Sequence, residues 1–377
     1  MEFTDIEVPP ASQADAARVE IELAEDYRMV TGPALSVRAV SPDGIALVDS
    51  MDPAAFDPDT WVLNATSPVN LWTEKGLEPV GDTDGLIPED EHRQVLNGAF
   101  VGDSITWLET ASIDLFVSDW RIFRRDLNGG EVELLARSEQ VHPEGQLPLA
   151  VGDAVLAPVA DRVGWHTTYV REDGTLRTKL VSIPAAGGDL RDEADLVAMP
   201  AGVEGGWVAL RMIDQTVAGA EEGWEIQDPN AAASIAFIEP GGQTRELVKF
   251  PGGTSDLWAV ARIAAGGGEV YAWAMNDGHI YVSSIDGSDV VRLTQPSDVQ
   301  VVPHSLAVCG ERVAWSVAPE EGSPTVTYLF DPADGQIALL PSENGLGNTN
   351  CGGPFIAWTE IAMDDPEARS LTLARQS

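Results

Sequence analysis

The sequence predicts an all-β protein, a seven-bladed β-propeller closed by an N-terminal strand that completes the last blade. Three observations predict it. Four tetrapeptides look like copies of one another: Ser104-Ile105-Thr106-Trp107, Val270-Tyr271-Ala272-Trp273, Arg312-Val313-Ala314-Trp315 and Phe355-Ile356-Ala357-Trp358. Each follows Gly-Asp, Gly-Glu or Gly-Pro and reads as a strand after a tight turn. Three weaker copies fill the rest: Gly44-Ile45-Ala46-Leu47, Ala154-Val155-Leu156-Ala157 and Gly206-Trp207-Val208-Ala209-Leu210. Between residues 47, 107, 157, 210, 273, 315 and 358 the steps are 60, 50, 53, 63, 42 and 43 residues. β-type segments at periods of this size are the mark of a propeller. Six or eight blades is the alternative count.

Each blade should be a four-stranded antiparallel meander, strands A to D. Blade 1 takes Ser36 to Val40, Ile45 to Asp49, Val69 to Thr73 and Leu77 to Val80. Blade 2 takes Ile105 to Leu108, Arg121 to Asp126, the turn Asn128-Gly129-Gly130 and Val132 to Leu135. Blade 3 ends with Lys179 to Ile183 and Gly187-Gly188. Blade 4 takes Val208 to Met212, Ser234 to Ile238 and Glu246 to Phe250. Blade 5 shows the pattern best: Leu257 to Ile263, Val270 to Met275, His279 to Ile285 and Val290 to Thr294, joined by glycine-rich turns. Blade 6 repeats it with Leu306 to Cys309, Val313 to Val317, Thr325 to Phe330 and Ile337 to Leu340. Blade 7 has only Ile356 to Glu360 and Ser370 to Ala374 before the chain ends. Arg18 to Leu23, alternating Val19, Ile21 and Leu23, has no blade of its own and is expected to supply the missing outer strand. An unclosed ring would leave two exposed edges. The domain plan is therefore a flexible segment, residues 1–17, and one propeller domain, residues 18–377.

The formal charge of −39 comes from 61 acidic against 22 basic residues. Such a surface repels phosphate backbones and anionic lipid heads, so neither nucleic acid nor a membrane surface is an expected partner. No apolar run is long enough to span a bilayer. Met1 to Ala17 is polar, contains Pro9-Pro10 and lacks the basic and apolar regions of a signal peptide. It reads as a native tail or as what remains after an export signal or anchor. An extracytoplasmic location is expected, and a monomer. Cys309 and Cys351 each precede glycine and sit one repeat apart. A disulfide between them would staple the last two blades and imply an oxidising compartment. The alternative is two buried thiols.

Ser41-Pro42-Asp43-Gly44-Ile45-Ala46 resembles the Ser-Pro-Asp-Gly turn of TolB-like propeller repeats. Ile280-Tyr281-Val282 through Asp286-Gly287-Ser288 to Arg292-Leu293-Thr294 is similar to the other half of that repeat. The resemblance implies an exported, non-enzymatic, protein-binding propeller, at family level alone.

Motifs for chemistry are few. There is no Gly-x-Ser-x-Gly elbow, Walker loop, His-Glu-x-x-His or Cys-x-x-Cys. The five histidines, His92, His142, His166, His279 and His304, are not paired at metal-ligand spacing. Asp57-Pro58-Asp59, Asp82-Thr83-Asp84-Gly85 and Asp364-Asp365 invite a calcium reading, but Asp-Gly and Asp-Pro are also turn chemistry. No cofactor is expected, with calcium the one ion considered. Trp107, Trp273, Trp315 and Trp358 recur in register and are expected to fill the wedge between blades. Trp61, Trp120, Trp165 and Trp224 fall in or beside the B–C connections, which are long in blade 1 (Ser50 to Pro68), blade 2 (Thr110 to Trp120), blade 3 (Ala160 to Arg177) and blade 4 (Asp214 to Ala233). In a meander, B–C and D–A loops leave on the same face, and elaborated loops on a rigid scaffold are where function collects. The expected binding surface is Trp61, Trp120, Arg162, Trp165, His166 and Trp224 with Asp214, Glu221, Glu222 and Asp228. Its partner would be a protein, a peptide or a glycan. Tryptophans that merely pack the loops are the competing reading. The expected function is a non-enzymatic binding scaffold. The alternatives are a propeller hydrolase or lyase with acids at the central funnel, and a glycan- or cation-binding module.

Overall fold

A computed structural model describes residues 2–376 apart from 15–27, 34, 51–55, 58–61, 84, 88–90, 113–116, 143–146, 149, 151–153, 219–224, 229–230, 251–259, 288, 320–324, 341–344 and 362–367. The chain is all-β; seven of its sheets are the blades of a β-propeller, and an eighth is the two-stranded pair Phe56–Asp57 and Val62–Leu63. Contacts divide it into two compact units. The first holds Met1–Ser50, Asn70–Glu78 and Val260–Ser377; the second holds Met51–Val69 and Pro79–Ala259.

In the first unit, blade 1 is Leu35–Val40, Ala46–Ser50, Val69–Thr73 and Gly76–Pro79. Blade 5 is Val260–Ala265, Val270–Met275, Ile280–Ser284 and Val290–Thr294. Blade 6 is Val299–Cys309, Arg312–Pro319, Val326–Asp331 and Gln336–Leu339. Blade 7 is Gly345–Gly352, Phe355–Ile361 and Ala368–Arg375, completed by the N-terminal strand Arg28–Pro33 paired antiparallel to the last of these. Closure by the N-terminus is thus as expected, but its strand is Arg28–Pro33. Arg18 to Leu23 lies outside the described residues. Alternating apolar side chains fill the seams: Ala274, Ile280, Val313, Trp315 and Phe330 pack between blades 5 and 6, and Val37, Val48, Ala357 and Leu373 between blades 7 and 1. Cys309 and Cys351 are joined by a disulfide, Cα atoms 4.9 Å apart, across the inner strands of blades 6 and 7. A Cβ on Gly352 would collide with the Val40 main chain, so this inner-strand approach requires glycine.

Within the segment expected to be a flexible tail, Thr4–Glu7 is a strand, paired parallel to Val290–Thr294 as a fifth strand of blade 5. Asp5 accepts from Arg292 Nε at 2.6 Å, and this bond holds its carboxyl below the usual carboxylate range. The Arg292 guanidinium lies 4.2 Å over the Phe3 ring. Val8 is buried in the blade 5–6 core, and Tyr328 Oη donates to the Pro9 carbonyl at 2.9 Å.

In the second unit, blade 2 is Gln94–Val101, Ser104–Thr110, Arg121–Asp126 and Glu133–Arg137. Blade 3 is Ala157–Val159, Arg162–Val170, Leu176–Pro184 and Arg191–Asp195. Blade 4 is Val197–Val203, Gly206–Met212, Ala232–Ile238 and Thr244–Lys249. Blade 3 departs from expectation. Its second strand begins at Arg162, not at Ala154, so Ala160 to Arg177 is no long loop: strands B and C meet in the short turn Arg171 to Thr175. The unread copy is Ala160-Asp161-Arg162-Val163-Gly164-Trp165. Ala160 sits at φ 52 where blade 6 has Gly310 at φ 66, so the Gly-Asp signal is missing from this turn; the Gly152-Asp153 pair that suggested the earlier start lies outside the described residues.

Candidate functional site

Every B–C connection and every D–A connection leaves a meander at the same end. In the second unit that end holds a concentration of buried charge. Alternation along strand B of blade 2 sends Leu108 into the core between blades 2 and 3 and turns Trp107 and Glu109 the other way. Trp107 stacks on Phe123 with centroids 5.7 Å apart, and its Nε1 donates to Glu109 Oε1 at 2.7 Å. Glu109 is fully buried, and its Oε2 has no hydrogen-bond partner among the described residues. Loss of hydration raises its pKa to about 7, against the opposing pull of the Trp107 bond and the Arg93 charge.

Arg93 is also fully buried. Its Nη2 donates to the carbonyls of Glu109 (3.0 Å) and Asp119 (2.8 Å), and its Nη1 to Glu91 Oε1 (2.5 Å). Burial lowers its pKa despite Asp119 and Glu91 beside it. The Asp119 carboxylate accepts the Thr110 hydroxyl and the Ala111 N–H (2.9 Å). Arg121 Nη2 donates to Glu139 at 2.6 Å. Charges therefore alternate along the end of blade 2: Glu91, Arg93, Asp119, Arg121, Glu139.

A second network crosses from blade 3 to blade 4. Asp214 accepts from Arg171 Nη1 at 2.9 Å and Arg177 Nε at 2.7 Å, and the two bonds, Arg171 first, hold its carboxyl below the usual range. Tyr169 donates to Asp195; burial, then that carboxylate, pushes its pKa up to about 12.

The residues expected to form one surface are not brought together. Trp120 and Trp165 are buried in the blade 2–3 core, ring centroids 5.0 Å apart in an edge contact. Trp120 Nε1 donates to Thr167 Oγ1 at 2.8 Å. His166 is buried in strand B of blade 3. Arg162 begins that strand and so lies at its opposite end, donating to Ser182 Oγ at 2.8 Å. Asp214 and Asp228 do lie in the blade 4 connection, where the Asp228 N–H bonds the Gln215 carbonyl at 3.0 Å. Trp61, Glu221, Glu222 and Trp224 lie outside the described residues. So do parts of each calcium candidate, Pro58-Asp59, Asp84 and Asp364-Asp365. Among the described residues no group of three or more His, Cys, Asp or Glu is placed to hold a metal ion.

Sequence reading missed Glu91, Arg93, Glu109, Asp119 and Arg121. A signal existed. Two residues after the repeated strand-B position comes an acid in three blades: Leu47-Val48-Asp49, Trp107-Leu108-Glu109 and Trp358-Thr359-Glu360. Trp358 Nε1 donates to Glu360 Oε1 at 3.1 Å, the same bond as in blade 2.

No protein-family model and no curated protein matches this chain. Solved structures share its fold. An acylaminoacyl peptidase of Pyrococcus horikoshii matches with a TM-score of 0.55 at 10% identity, over 95% of this chain and 53% of its own. The β-propeller domain of the trilobed protease from Pyrococcus furiosus matches with a TM-score of 0.55 at 9% identity, over 91% and 95%. An oligogalacturonate lyase of Vibrio parahaemolyticus matches with a TM-score of 0.53 at 7% identity, over 92% and 98%. The chain spans about half the length of the acylaminoacyl peptidase. The expectation of a non-enzymatic scaffold is corrected here: the three structures named, which share this fold over more than nine-tenths of the chain, carry the names of two peptidases and a lyase.

Proposed function

We propose that this propeller belongs to an enzyme of the hydrolase or lyase class, with the loop-rich end of blades 2 to 4 facing the substrate. One observation carries the reading: a buried carboxyl with a pKa near 7, Glu109, adjoins a buried arginine, Arg93, at that end. A carboxyl titrating near neutrality can both donate and accept a proton under working conditions, and such perturbed groups collect at functional sites. The lyase match supports the reading further, because it covers almost all of a chain that carries an enzyme's name. A TolB-like origin of the repeat is the finer proposal: in blade 1 the Ser41 Oγ accepts from the Asp43 and Ile45 N–H groups, organising the Ser-Pro-Asp-Gly turn. The Cys309–Cys351 bond supports an oxidising, extracytoplasmic compartment.

The test is turnover by the full chain on peptide, ester and glycan panels, with Glu109→Gln alongside. Loss of the carboxyl should cut the rate by about 100-fold or more and remove the limb near pH 7 from the rate profile. Absence of turnover by the unaltered protein on every panel, or an unchanged Gln variant, refutes the proposal.

A further inference from the structure

The four strands of blade 5 already form a complete antiparallel meander. Thr4–Glu7 is added to its outer edge in parallel, with Thr4 opposite Val291, Asp5 opposite Arg292, Ile6 opposite Leu293 and Glu7 opposite Thr294. Ring closure does not demand this pairing, because Arg28–Pro33 closes blade 7. Nor does an apolar strand drive it: Thr4, Asp5 and Glu7 are exposed, and Ile6 alone of the four packs against the blade 5–6 core. Main-chain pairing to a sheet edge with a few side-chain anchors is how an extended peptide is recognised by β-augmentation.

The anchors are chemically selective. Tyr271, Trp273 and Tyr281 stack in turn, centroids 5.7 Å and 5.3 Å apart, and Phe3 meets Tyr281 edge-on at 5.9 Å. The Arg292 guanidinium lies over the Phe3 ring while its Nε donates to Asp5. Thr294 Oγ1 donates to the same Asp5 oxygen at 3.1 Å. One arginine therefore reads an aromatic ring and a carboxylate two residues on. Further along, the Val8 side chain enters the core and its N–H donates to the Thr294 carbonyl at 2.9 Å. Tyr328 then holds the Pro9 carbonyl.

We infer that the outer edge of blade 5 is a peptide-docking groove, filled in cis by the chain's own N-terminus and open by exchange to a separate polypeptide of the same chemistry. That partner is an extended segment with an aromatic residue, aspartate two residues on, aliphatic residues three and five on, and proline next. A bare sheet edge invites aggregation, so the cis segment keeps the groove covered until the partner displaces it. A second copy of this chain is the weaker occupant, because two bodies at −39 repel each other. The groove lies wholly within the first unit and is independent of the enzyme reading.

Fluorescence anisotropy of the full chain tests this with three labelled peptides: residues 2–13 of this sequence, the pattern peptide Ser-Phe-Ser-Asp-Ile-Ser-Val-Pro, and a scramble of the pattern peptide. The cis segment competes at an effective concentration on the order of millimolar. Phe3→Ser with Asp5→Ser in the chain removes two anchors of that competitor and should tighten binding of both patterned peptides about tenfold. Arg292→Ala should weaken both about tenfold, through the lost cation–π and ion-pair contacts. Hydrogen exchange on the unaltered chain gives a reading that needs no variant. Excess pattern peptide should strip protection from residues 4–8 while residues 290–294 keep theirs. Equal binding of the scramble overturns the inference. So does peptide affinity indifferent to the Phe3→Ser, Asp5→Ser pair, or no binding to either chain at about 1 mM peptide, the level at which the cis segment competes. A concentration-dependent dimer of the unaltered chain that the peptide dissolves would also overturn it, by making a second copy the occupant.

Discussion

Blade 3 and blade 6 start their second strands with nearly the same six residues, Ala160 to Trp165 and Gly310 to Trp315, and build different surroundings on them. Trp315 stacks on Tyr328 at 5.4 Å, and its Nε1 donates to Gln295 at 3.1 Å. The strand then runs on as Ser316-Val317 in a seam that is mostly apolar. Trp165 instead meets Trp120 edge-on, and its strand continues as the buried polar run His166-Thr167-Thr168. Thr167 receives Trp120 Nε1, and the Thr168 carbonyl lies 2.6 Å from His142 Nε2. The same scaffold thus ends in apolar closure in one blade. In the other it ends in polar anchors that hold a neighbour's loops. The difference teaches that a repeat specifies the wedge between blades and leaves the end of the blade free for other chemistry.

The strongest way to break this comparison is to remove each tryptophan. Both are fully buried, so Trp165→Ala and Trp315→Ala should each cost about 3–5 kcal/mol, read as a shift in the denaturation midpoint. A Trp165→Ala variant that keeps its stability would restore Trp165 to the binding surface first expected of it.

The next effect belongs to the buried acid. Glu109 has its folded pKa raised from 4.5 to about 7, so the native state holds its proton after the unfolded chain has released it. Its contribution is therefore intact in acid and lost as pH rises from about 4.5 to 7, roughly 3 kcal/mol in all. Glu109→Gln should remain uncharged throughout and should remove this slope. Denaturation at closely spaced pH values checks it, and parallel slopes for the two proteins would refute the buried, titrating assignment. Smaller again is Thr167→Val. It leaves the buried Trp120 N–H without its acceptor, at about 2 kcal/mol, and should loosen hydrogen-exchange protection around residues 117–121 more than elsewhere.

Much of this was legible in the chain. The Trp repeats and Asp-Gly turns specified seven blades, because wedge-filling rings and left-handed turns need those residue types at fixed places. Closure by an N-terminal strand followed from counting strands in blade 7, although Arg28–Pro33 rather than Arg18 to Leu23 supplies it. The site was less legible. Arg93 and Glu109 lie 16 residues apart, and only the approach of strand A's entry to strand B's exit joins them. The strand Thr4–Glu7 was invisible for a related reason: its partner, Val290–Thr294, lies at the far end of the chain, and its own residues are mostly polar.

Blade 3 was misread for want of one glycine, and that gives the finest test of the comparison. Ala160 at φ 52 holds a left-handed turn that Gly310 makes at φ 66. A side chain there costs about 1 kcal/mol relative to glycine, since Cβ crowds the following carbonyl. Ala160→Gly should therefore stabilise the protein by roughly 0.5–1 kcal/mol after the greater freedom of glycine in the unfolded chain is counted. Gly310→Ala should cost a similar amount through φ alone, because a Cβ there would come no nearer than 3.6 Å to its closest neighbour, the Gly353 carbonyl oxygen. Opposite shifts of similar size in the denaturation midpoint would establish that the two turns are one structural position. Loss of stability in both would mean that Ala160 makes packing contacts glycine cannot, and that blade 3 differs from blade 6 at its turn as well as at its far end.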